Sequence, residues 1–265
     1  MSNKSTIGIV GYGYVGKAMH KVFPNAVLFD NHLNIGTKEQ INECDLAIIC
    51  VPTPMQDSDK EFKSCDSSIV ESCVEWLETE LILIKSTVTP GTTEMLCLKY
   101  NKNVAFSPEY IGESSYYTTE HKYMSPTDPR KHDFVIIGAS DHIVSDRIVD
   151  IFTEYLGPEK TYYIVNSTEA ELIKYLENSF FALKVAFFNE FFDLCQATGS
   201  SYHKVREGWA LDNRVSKLHT SVFVKQRQFG GKCFPKDTNA IINFADVMKT
   251  ELSILKSALR SNGKR

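Results

Sequence analysis

The segment from Ile7 to Phe23 constrains the fold of this 265-residue chain more than any other part of the sequence. The apolar run Ile7 to Val10 predicts a strand, Gly11-Tyr12-Gly13-Tyr14-Val15-Gly16 predicts a tight turn, and Lys17 to Phe23 predicts a helix. In such a unit the glycines permit the turn, the approach of a pyrophosphate and close packing of the helix, whose N-terminus faces the phosphates. The segment therefore favours a dinucleotide-binding site over a purely structural glycine turn.

A second apolar run follows this turn and carries an acidic residue at its end. Ala26 to Phe29 predicts the next strand, and Asp30 stands at about the offset where a carboxylate binds the ribose of the cofactor. A carboxylate there accepts a hydrogen bond from the ribose 2′-hydroxyl and repels a 2′-phosphate. Because Asn31 and His32 offer no compensating arginine, the sequence favours NAD over NADP.

Alternating strand and helix patterns continue as far as residue 165. Such alternation produces a parallel sheet with helices on both faces, so we expect an α/β fold, a Rossmann-type doubly wound parallel sheet, over residues 1–166. Further strands are expected at 46–51, 81–85, 104–107, 134–138 and 161–165, with helices at 67–80, 92–100 and 141–156. The polar stretch 57–63 is expected to be a surface loop.

Polar side chains follow several of these strands. Ligands of doubly wound sheets bind at the carboxyl ends of the strands, where this sequence has Thr53, Thr87, Glu109 and Glu113. Threonines at such places are also typical of turns and helix caps, and the glutamates are equally compatible with solvated loop charges. All four are candidates for the cofactor or substrate site.

One long helical pattern begins after residue 166. Thr168 and Glu171 form a capping-box pattern, and the helix is expected to run to about Gly199, roughly 45 Å at 1.5 Å per residue. Lys174 and Asn178 are four residues apart and share a helix face. Together they can stabilise a developing oxyanion; the alternative is an ordinary exposed helix surface.

The rest of the chain also has helical character. Phenylalanine pairs at 180/181, 187/188 and 191/192 indicate a core or a subunit interface rather than chemistry. Residues 167–265 are therefore expected to form a separate all-helical domain.

The sequence Phe229-Gly230-Gly231-Lys232-Cys233-Phe234-Pro235-Lys236-Asp237 is a second candidate for chemistry. The two glycines allow backbone to approach a ligand. A cation near a thiol favours the thiolate, and a carboxylate can orient water or transfer protons, so Cys233 is a candidate nucleophile. The alternative is an inert buried cysteine beside a proline turn.

A basic stretch leads into this turn. No acidic residue occurs from Asn213 to Lys232, whereas cationic side chains occur at Arg214, Lys217, His219, Lys225, Arg227 and Lys232. The stretch is a candidate for gripping a diphosphate, although charge runs are usually solvated.

Composition excludes several classes of function. A net charge of -4 argues against a general nucleic-acid binder. Seven cysteines without a CxxC pair fit a reducing compartment and predict neither a disulfide framework nor a metal site. The sequence has neither a signal-type apolar region nor an apolar run that could span a bilayer, so a cytoplasmic location without membrane association is expected.

Six motifs in one order give the sequence a clear resemblance. GYGYVG, VPTP, STVTPGTT, SPEYIGE, EAELIKYLENSF and FGGKCFPKD, spread from residue 11 to 237, resemble the UDP-glucose/GDP-mannose dehydrogenase family. The resemblance implies a Rossmann domain, a central helical domain that forms a homodimer, and a C-terminal domain that helps to bind the nucleotide sugar. This chain resembles the first two and ends near where the third would begin.

The resemblance also implies roles for individual residues. An NAD site is implied for Gly11, Gly13, Tyr14, Val15, Gly16, Asp30, Thr53, Thr87 and Lys236. A catalytic set is implied for Cys233, Lys174, Asn178, Asp237, Glu109, Glu113 and Thr87. Substrate contacts are implied for Glu109, Glu113, Lys174, Asn178, Arg214 and Gly230. In these sets the cysteine is the nucleophile, the lysine and asparagine stabilise the oxyanion, the aspartate works with the lysine and a water, and a glutamate assists thioester hydrolysis.

The expected function is therefore the NAD-dependent, four-electron oxidation of a nucleotide sugar, UDP-glucose foremost, to the uronic acid. Oxidising a primary alcohol to an acid removes four electrons in two steps, and a cysteine retains the aldehyde between them as a thiohemiacetal and then a thioester. Two alternatives remain open: a two-domain 3-hydroxyacid dehydrogenase, and a truncated subunit that binds NAD without catalysis.

Overall fold

The computed structural model describes residues 4–111, 128–231 and 233–264. The chain divides into two compact units. The first is Met1–Pro54 with Cys65–Lys174, and the second is Met55–Ser64 with Tyr175–Arg265.

The first unit is one sheet covered by helices. Its described strands, β1 to β7, are Ile7–Val10, Val27–Phe29, Leu46–Ile49, Leu81–Ile84, Val104–Phe106, Phe134–Gly138 and Thr161–Val165. Its described helices, α1 to α5, are Tyr14–Val22, Lys38–Asn42, Ser68–Trp76, Thr92–Tyr100 and His142–Leu156, with a short 3-10 helix at Pro129–Lys131. These elements confirm the expected strand and helix alternation, to which the structure adds α2.

The strands are ordered β2-β1-β3-β4-β5-β6-β7. All neighbouring strands are parallel except β5 and β6, which are antiparallel and paired through Phe106 and Gly138. The order reverses beside β1, because β2 and β3 pair with its opposite edges. The carboxyl ends of β1 and β3 therefore form the crevice where open α/β sheets bind their ligands.

Two apolar cores lie on the two faces of this sheet. Successive strand residues point to opposite faces, so Ile48 packs with side chains of α1 and α5, whereas Ile49 packs with side chains of α3 and α4. Both side chains are fully buried. Burial on both faces explains the continuous apolar runs of β1, β3 and β4, and it confirms the doubly wound fold.

A single 31-residue helix, α6, spans Ser167–Ala197. Its start differs from the expected capping box: Asn166 and Glu169 cap it reciprocally, since each accepts a hydrogen bond from the other's backbone N–H. Glu171 does not cap α6; its carboxylate instead accepts hydrogen bonds from backbone N–H groups at the start of α4. This contact ties the first turns of α6 to the sheet, and the two units divide after Lys174 rather than at residue 166. The expected boundary between functional domains at 166/167 stays a prediction.

The second unit is helical. Besides most of α6, its described helices are α7 (Tyr202–Trp209), α8 (Phe234–Val247) and α9 (Ser253–Gly263). Among the helices that the structure describes, none combines the length and the apolar character needed to cross a membrane.

Residues 55–64 belong to the second unit, although the chain on both sides of them belongs to the first. The expected polar surface loop at 57–63 has neither helix nor strand and is mostly exposed, but Phe62 departs from the expectation, because its side chain is buried and its carbonyl accepts a hydrogen bond from Asn243 of α8. The Phe62 ring also lies 5.7 Å from the charged groups of Lys256 and Arg260, a cation–π distance. Arg260 further pairs with Glu61.

Candidate functional site

Each glycine of the turn after β1 has its own steric environment. Gly11 has a φ of +91°, and a Cβ there would lie 2.6 Å from the carbonyl oxygen of Cys50. A Cβ on Gly16 would lie 2.0 Å from the carbonyl oxygen of Gly11. Gly13 has no atom within 4 Å of its Cβ position. The turn is therefore closed at Gly11 and Gly16 and open at Gly13, the arrangement that lets a pyrophosphate approach the backbone.

Asp30 lies at the end of β2 and is bound to this turn. Its carboxylate accepts hydrogen bonds from the backbone N–H groups of Tyr12, at 2.8 Å, and Leu33, at 3.0 Å. Partial burial opposes ionisation, but these N–H groups hold the pKa of Asp30 below its ordinary value. A charged carboxylate beside the glycine turn fits the ribose of NAD.

The other residues expected at the NAD site lie at the same edge of the sheet. Tyr14 and Val15 begin α1, where Tyr14 is half exposed and Val15 packs on the core. Thr53 is buried beyond β3, and Thr87 is half-buried beyond β4. The first unit thus brings these predicted residues to the strand ends where doubly wound sheets bind their ligands, and their contact with NAD stays a prediction.

Glu109 and Lys174 form a buried ion pair within the first unit. Lys174 Nζ lies 3.3 Å from Glu109 Oε1, and it donates to the Glu109 backbone carbonyl at 2.5 Å. Glu109 Oε2 accepts from the N–H of Ile111 at 2.8 Å. The structure thus joins two residues that sequence reasoning proposed separately. Glu113 lies outside the described residues.

Two buried ionisable residues near these elements were missed by sequence reasoning. Glu171 accepts from the N–H groups of Gly91 and Thr93 and from the Thr93 hydroxyl, at 2.5 to 2.9 Å. Burial raises the pKa of Glu171 to about 7, although these hydrogen bonds oppose the change. Lys85, directly after β4, is also buried. Lys85 could have been found from the sequence, because a lysine directly follows the apolar run of β4. Glu171 was missed because it was assigned to the cap of α6.

Cys233 lies at the N-terminal end of α8 in the second unit. It is the residue immediately before the helix, its carbonyl accepts from the N–H of Asp237 at 2.8 Å, and it is partly exposed. Pro235 occupies the first turn, where a missing N–H costs nothing. The positive end of a helix stabilises a thiolate, so the position suits a nucleophile.

A buried polar network surrounds the first turn of α8. Asp237 is 1% exposed, and its carboxylate accepts from the side-chain amide of Asn178 at 2.5 Å and lies 2.6 Å from Lys236 Nζ. The structure thus joins three predicted residues of the second unit. Since Lys236 pairs with Asp237 here, its contact with NAD stays a prediction.

Two further predicted substrate contacts, Arg214 and Gly230, are not part of this buried network. The Arg214 side chain is 88% exposed and its guanidinium pairs with Asp212 at 2.6 Å. Gly230 has no atom within 4 Å of its Cβ position. Two further cations of the basic stretch, Lys217 and Arg227, pair with acidic side chains of α7 and α6. A diphosphate would compete with these acidic partners for the same cations, and its binding by this stretch stays a prediction.

Comparisons with known proteins identify the chain's relatives. The model of the UDP-glucose/GDP-mannose dehydrogenase family, NAD binding domain, matches residues 21–156, and that of the same family's central domain matches residues 168–264. A UDP-glucose 6-dehydrogenase of Rickettsia prowazekii is 32% identical over 228 residues, which are 82% of this chain and 49% of that protein. The chain thus spans about half the length of the curated relatives it matches.

Solved structures show the same architecture. A UDP-glucose dehydrogenase from the archaeon Pyrobaculum islandicum superposes with a TM-score of 0.79 at 25% identity, over 99% of this chain and 69% of that chain. A 3-hydroxyisobutyrate dehydrogenase of Mycobacterium tuberculosis superposes with a TM-score of 0.69 over 99% of this chain and 94% of that chain. The identity to the second is 12%, so this likeness shows the fold alone.

Proposed function

The chain belongs to the UDP-glucose/GDP-mannose dehydrogenase family, and on that premise we propose that it oxidises a nucleotide sugar, UDP-glucose foremost, to the uronic acid. NAD is the cofactor of the N-terminal domain. The observation that carries the proposal is the position of Cys233 at the N-terminal end of α8, within four residues of the buried carboxylate of Asp237. An alcohol dehydrogenase that removes two electrons has no use for a nucleophile at this place.

The proposed chemistry removes four electrons in two oxidations. NAD, when bound along Gly11 to Gly16 with its ribose at Asp30, supplies a two-electron acceptor for each oxidation. Cys233 Sγ adds to the carbonyl carbon of the aldehyde, forms a C–S bond and thereby retains the half-oxidised sugar. Oxidation of this thiohemiacetal gives a thioester, and water cleaves the C–S bond to give the acid and regenerate the thiol.

The remaining site residues manage charge and protons in this scheme. Lys174 and Asn178 stabilise the oxygen that becomes negative when the thiolate adds to the aldehyde. Asp237, which already accepts from Asn178, accepts a proton through an ordered water. Glu109 assists the attack of water on the thioester.

Counting reduced cofactor tests the proposal. Purified protein is incubated with NAD and a panel of UDP- and GDP-sugars, and NADH and acid are quantified together. Two NADH per molecule of acid are expected. One NADH per product would contradict the proposal, and turnover of small hydroxyacids with one NADH each would favour a 3-hydroxyacid dehydrogenase. Calorimetric binding of NAD without binding of any nucleotide sugar would favour a non-catalytic subunit.

We also infer that the second unit forms a homodimer through α6. On the part of this helix that belongs to the second unit, five large apolar side chains are 41% to 71% exposed: Leu176, Phe180, Phe187, Phe191 and Leu194. Their spacing of three, four or seven residues keeps them in one stripe, and an exposed apolar stripe of this kind is typical of an interface. The stripe divides each phenylalanine pair, since Phe188 is buried while Phe187 is exposed.

Sedimentation equilibrium tests this inference. Wild-type protein is expected to sediment as a dimer and a Phe187→Glu variant as a monomer, because a charge in the stripe would be desolvated. Lys204→Glu on the exposed surface of α7 serves as the control and is expected to stay dimeric. A monomeric wild type would refute the inference.

A further inference from the structure

Lys85 is a buried lysine for which the proposed reaction gives no role. It follows β4 directly, is 5% exposed, and its ammonium donates to the Ser107 hydroxyl at 3.1 Å and to the Pro108 carbonyl at 2.9 Å. Burying an ammonium is costly unless hydrogen bonds compensate for the lost water. Fold stability alone would be served better by an apolar side chain at this position, so the retained charge calls for another explanation.

The two acceptors of Lys85 are the residues immediately before Glu109. On the other side of Glu109, the Ile111 N–H donates to its carboxylate, and Lys174 binds both its carboxylate and its carbonyl. The segment from Ser107 to Ile111 is therefore held by one lysine that follows β4 and by another on α6. Lys85 binds the backbone of the segment at Pro108, and Lys174 pairs with the carboxylate of Glu109.

The charges around Lys85 come from three elements. Glu109 follows β5, Cys50 follows β3 and Lys174 lies on α6. Burial lowers the pKa of Lys85 to about 8, and Glu109 opposes this change. Burial raises the pKa of Cys50 to about 12, so this thiol stays neutral. Lys85 is therefore expected to lose its charge just above neutral pH.

A small cavity adjoins the same groups. It has a volume of about 30 Å³, and Lys85, Ser107 and Glu109 contribute to its lining. This is room for a water molecule, and polar groups on the wall supply the partners that a buried water needs. A water there would accept a hydrogen bond from the Lys85 ammonium and help to solvate it.

We propose that Lys85 is a positioning residue, which fixes the Ser107–Ile111 segment so that the Glu109 carboxylate is held for thioester hydrolysis. The proposal rests on the proposed function for its chemical meaning. Its geometric part is independent of turnover: without the Lys85 ammonium, the Glu109 carboxylate loses its fixed place beside the Ile111 N–H.

Hydrogen exchange tests the geometric part. In Lys85→Met, which keeps most of the apolar stem, exchange of the Ile111 amide is expected to accelerate by about tenfold or more, in line with loss of the equivalent of one hydrogen bond. Lys102→Met is the matched control, because the Lys102 ammonium also donates to two acceptors, in its case the carbonyls of Val74 and Glu75. Unchanged Ile111 exchange in Lys85→Met would overturn the proposal.

A second variant guards against misfolding of the first. Ser107→Ala removes one acceptor of Lys85 and leaves the charges in place. Thermal unfolding shows which variants are folded. If Lys85→Met does not fold, Ser107→Ala is expected to accelerate Ile111 exchange, and protection equal to wild type would overturn the proposal.

Turnover kinetics test the chemical part. Lys85→Met is expected to form two NADH per subunit in a rapid burst and then to turn over about 10²-fold more slowly than wild type, because a misplaced group costs about this much. Mass spectrometry should find the thioester on Cys233, with KM little changed. Slowing of the burst and the steady state by the same factor, without a covalent species, would overturn the proposal.

The pH profile supplies the last readout. The wild-type steady-state rate is expected to fall above about pH 8 as Lys85 loses its proton, and Lys85→Met should lack this limb. The limb persisting in Lys85→Met would overturn the chemical part. If the wild type reduces no NAD with any nucleotide sugar while the Ile111 result holds, the proposed function fails and the positioning role of Lys85 stands.

Discussion

The turn after β1 and the turn before α8 both contain glycines next to a helix N-terminus, but they are built differently. In the first, steric limits act between neighbouring backbone atoms, as when a Cβ on Gly16 would meet the Gly11 carbonyl at 2.0 Å. In the second, Gly230 has no neighbour at its Cβ position. Gly231 in the second turn also requires a left-handed backbone, with a φ of +77°, but the polar groups next to this turn are side chains, where Asp237 accepts a hydrogen bond from Asn178 of another helix.

This difference separates binding from chemistry. A site made of backbone follows rules that act over a few residues, so its shape can be read from a short motif. A site made of side chains depends on elements far apart in the sequence, and each group acts only when its partners are present. Substitutions should therefore affect folding and affinity at the first turn and rate at the second.

The largest effect is expected at the second turn. Cys233→Ser should lower acid formation by more than about 10³-fold, the loss typical of a removed nucleophile. NAD affinity and the unfolding transition should change little, because Cys233 is partly exposed and precedes the helix. Coupled measurement of acid and NADH checks this, with Cys97→Ser as the control; full activity in Cys233→Ser would break the contrast between the two turns.

The next effect is expected at the first turn. Gly16→Ala should lower the free energy of unfolding by about 3 kcal/mol, because the new methyl group overlaps the Gly11 carbonyl and the helix must move. Gly13→Ala is the matched control. Its methyl group enters open space, so stability should change by at most about 1 kcal/mol while NAD affinity falls. Chemical denaturation and calorimetry distinguish the two, and equal unfolding free energies for both variants would refute the steric account.

Glu171 is expected to give a pH-dependent effect on stability. Because its folded-state pKa is raised to about 7, the folded chain retains a proton that the unfolded chain releases near pH 4.5. Its contribution to stability is thus fully present below about pH 4.5 and is lost as the pH rises towards 7. Relative to Glu171→Gln, the wild-type free energy of unfolding should fall by about 2–3 kcal/mol between pH 5 and pH 8.

The control for this effect is Gln196→Ala, an exposed position of the same helix that carries no titratable group in either form. A difference between wild type and Glu171→Gln that stays constant from pH 5 to pH 8 would show that the hydrogen bonds from Gly91 and Thr93 offset burial.

The smallest effect is expected at Asp30. Asp30→Asn keeps an acceptor for the Tyr12 N–H but removes the negative charge that disfavours a 2′-phosphate. The ratio of the Kd for NADP to the Kd for NAD should fall about tenfold, which is about 1.4 kcal/mol. Asp59→Asn on the exposed loop is the control. An unchanged ratio would mean that Asp30 serves the turn and not the choice of cofactor.

The accuracy of sequence reasoning follows the same division. The strand–turn–helix unit and the alternating elements of the sheet were predicted, because hydrophobic periodicity and glycine geometry are local. The cap at Asn166 was missed because Thr168 and Glu171 match the same pattern two residues later. The burial of Glu171, Lys85 and Phe62 was missed because each depends on a partner remote in sequence.

The membership of residues 55–64 in the second unit has a consequence for how the chain can be made and cut. A nascent chain exposes Phe62 long before Asn243 and Arg260 leave the ribosome, so completion of the second unit waits until about 200 further residues have been synthesised. For the same reason a gene fragment that stops at Lys174 leaves Phe62 without its cover, and one that starts at Tyr175 lacks a piece of its own core. No single cut in the polypeptide separates the two units with each of them complete.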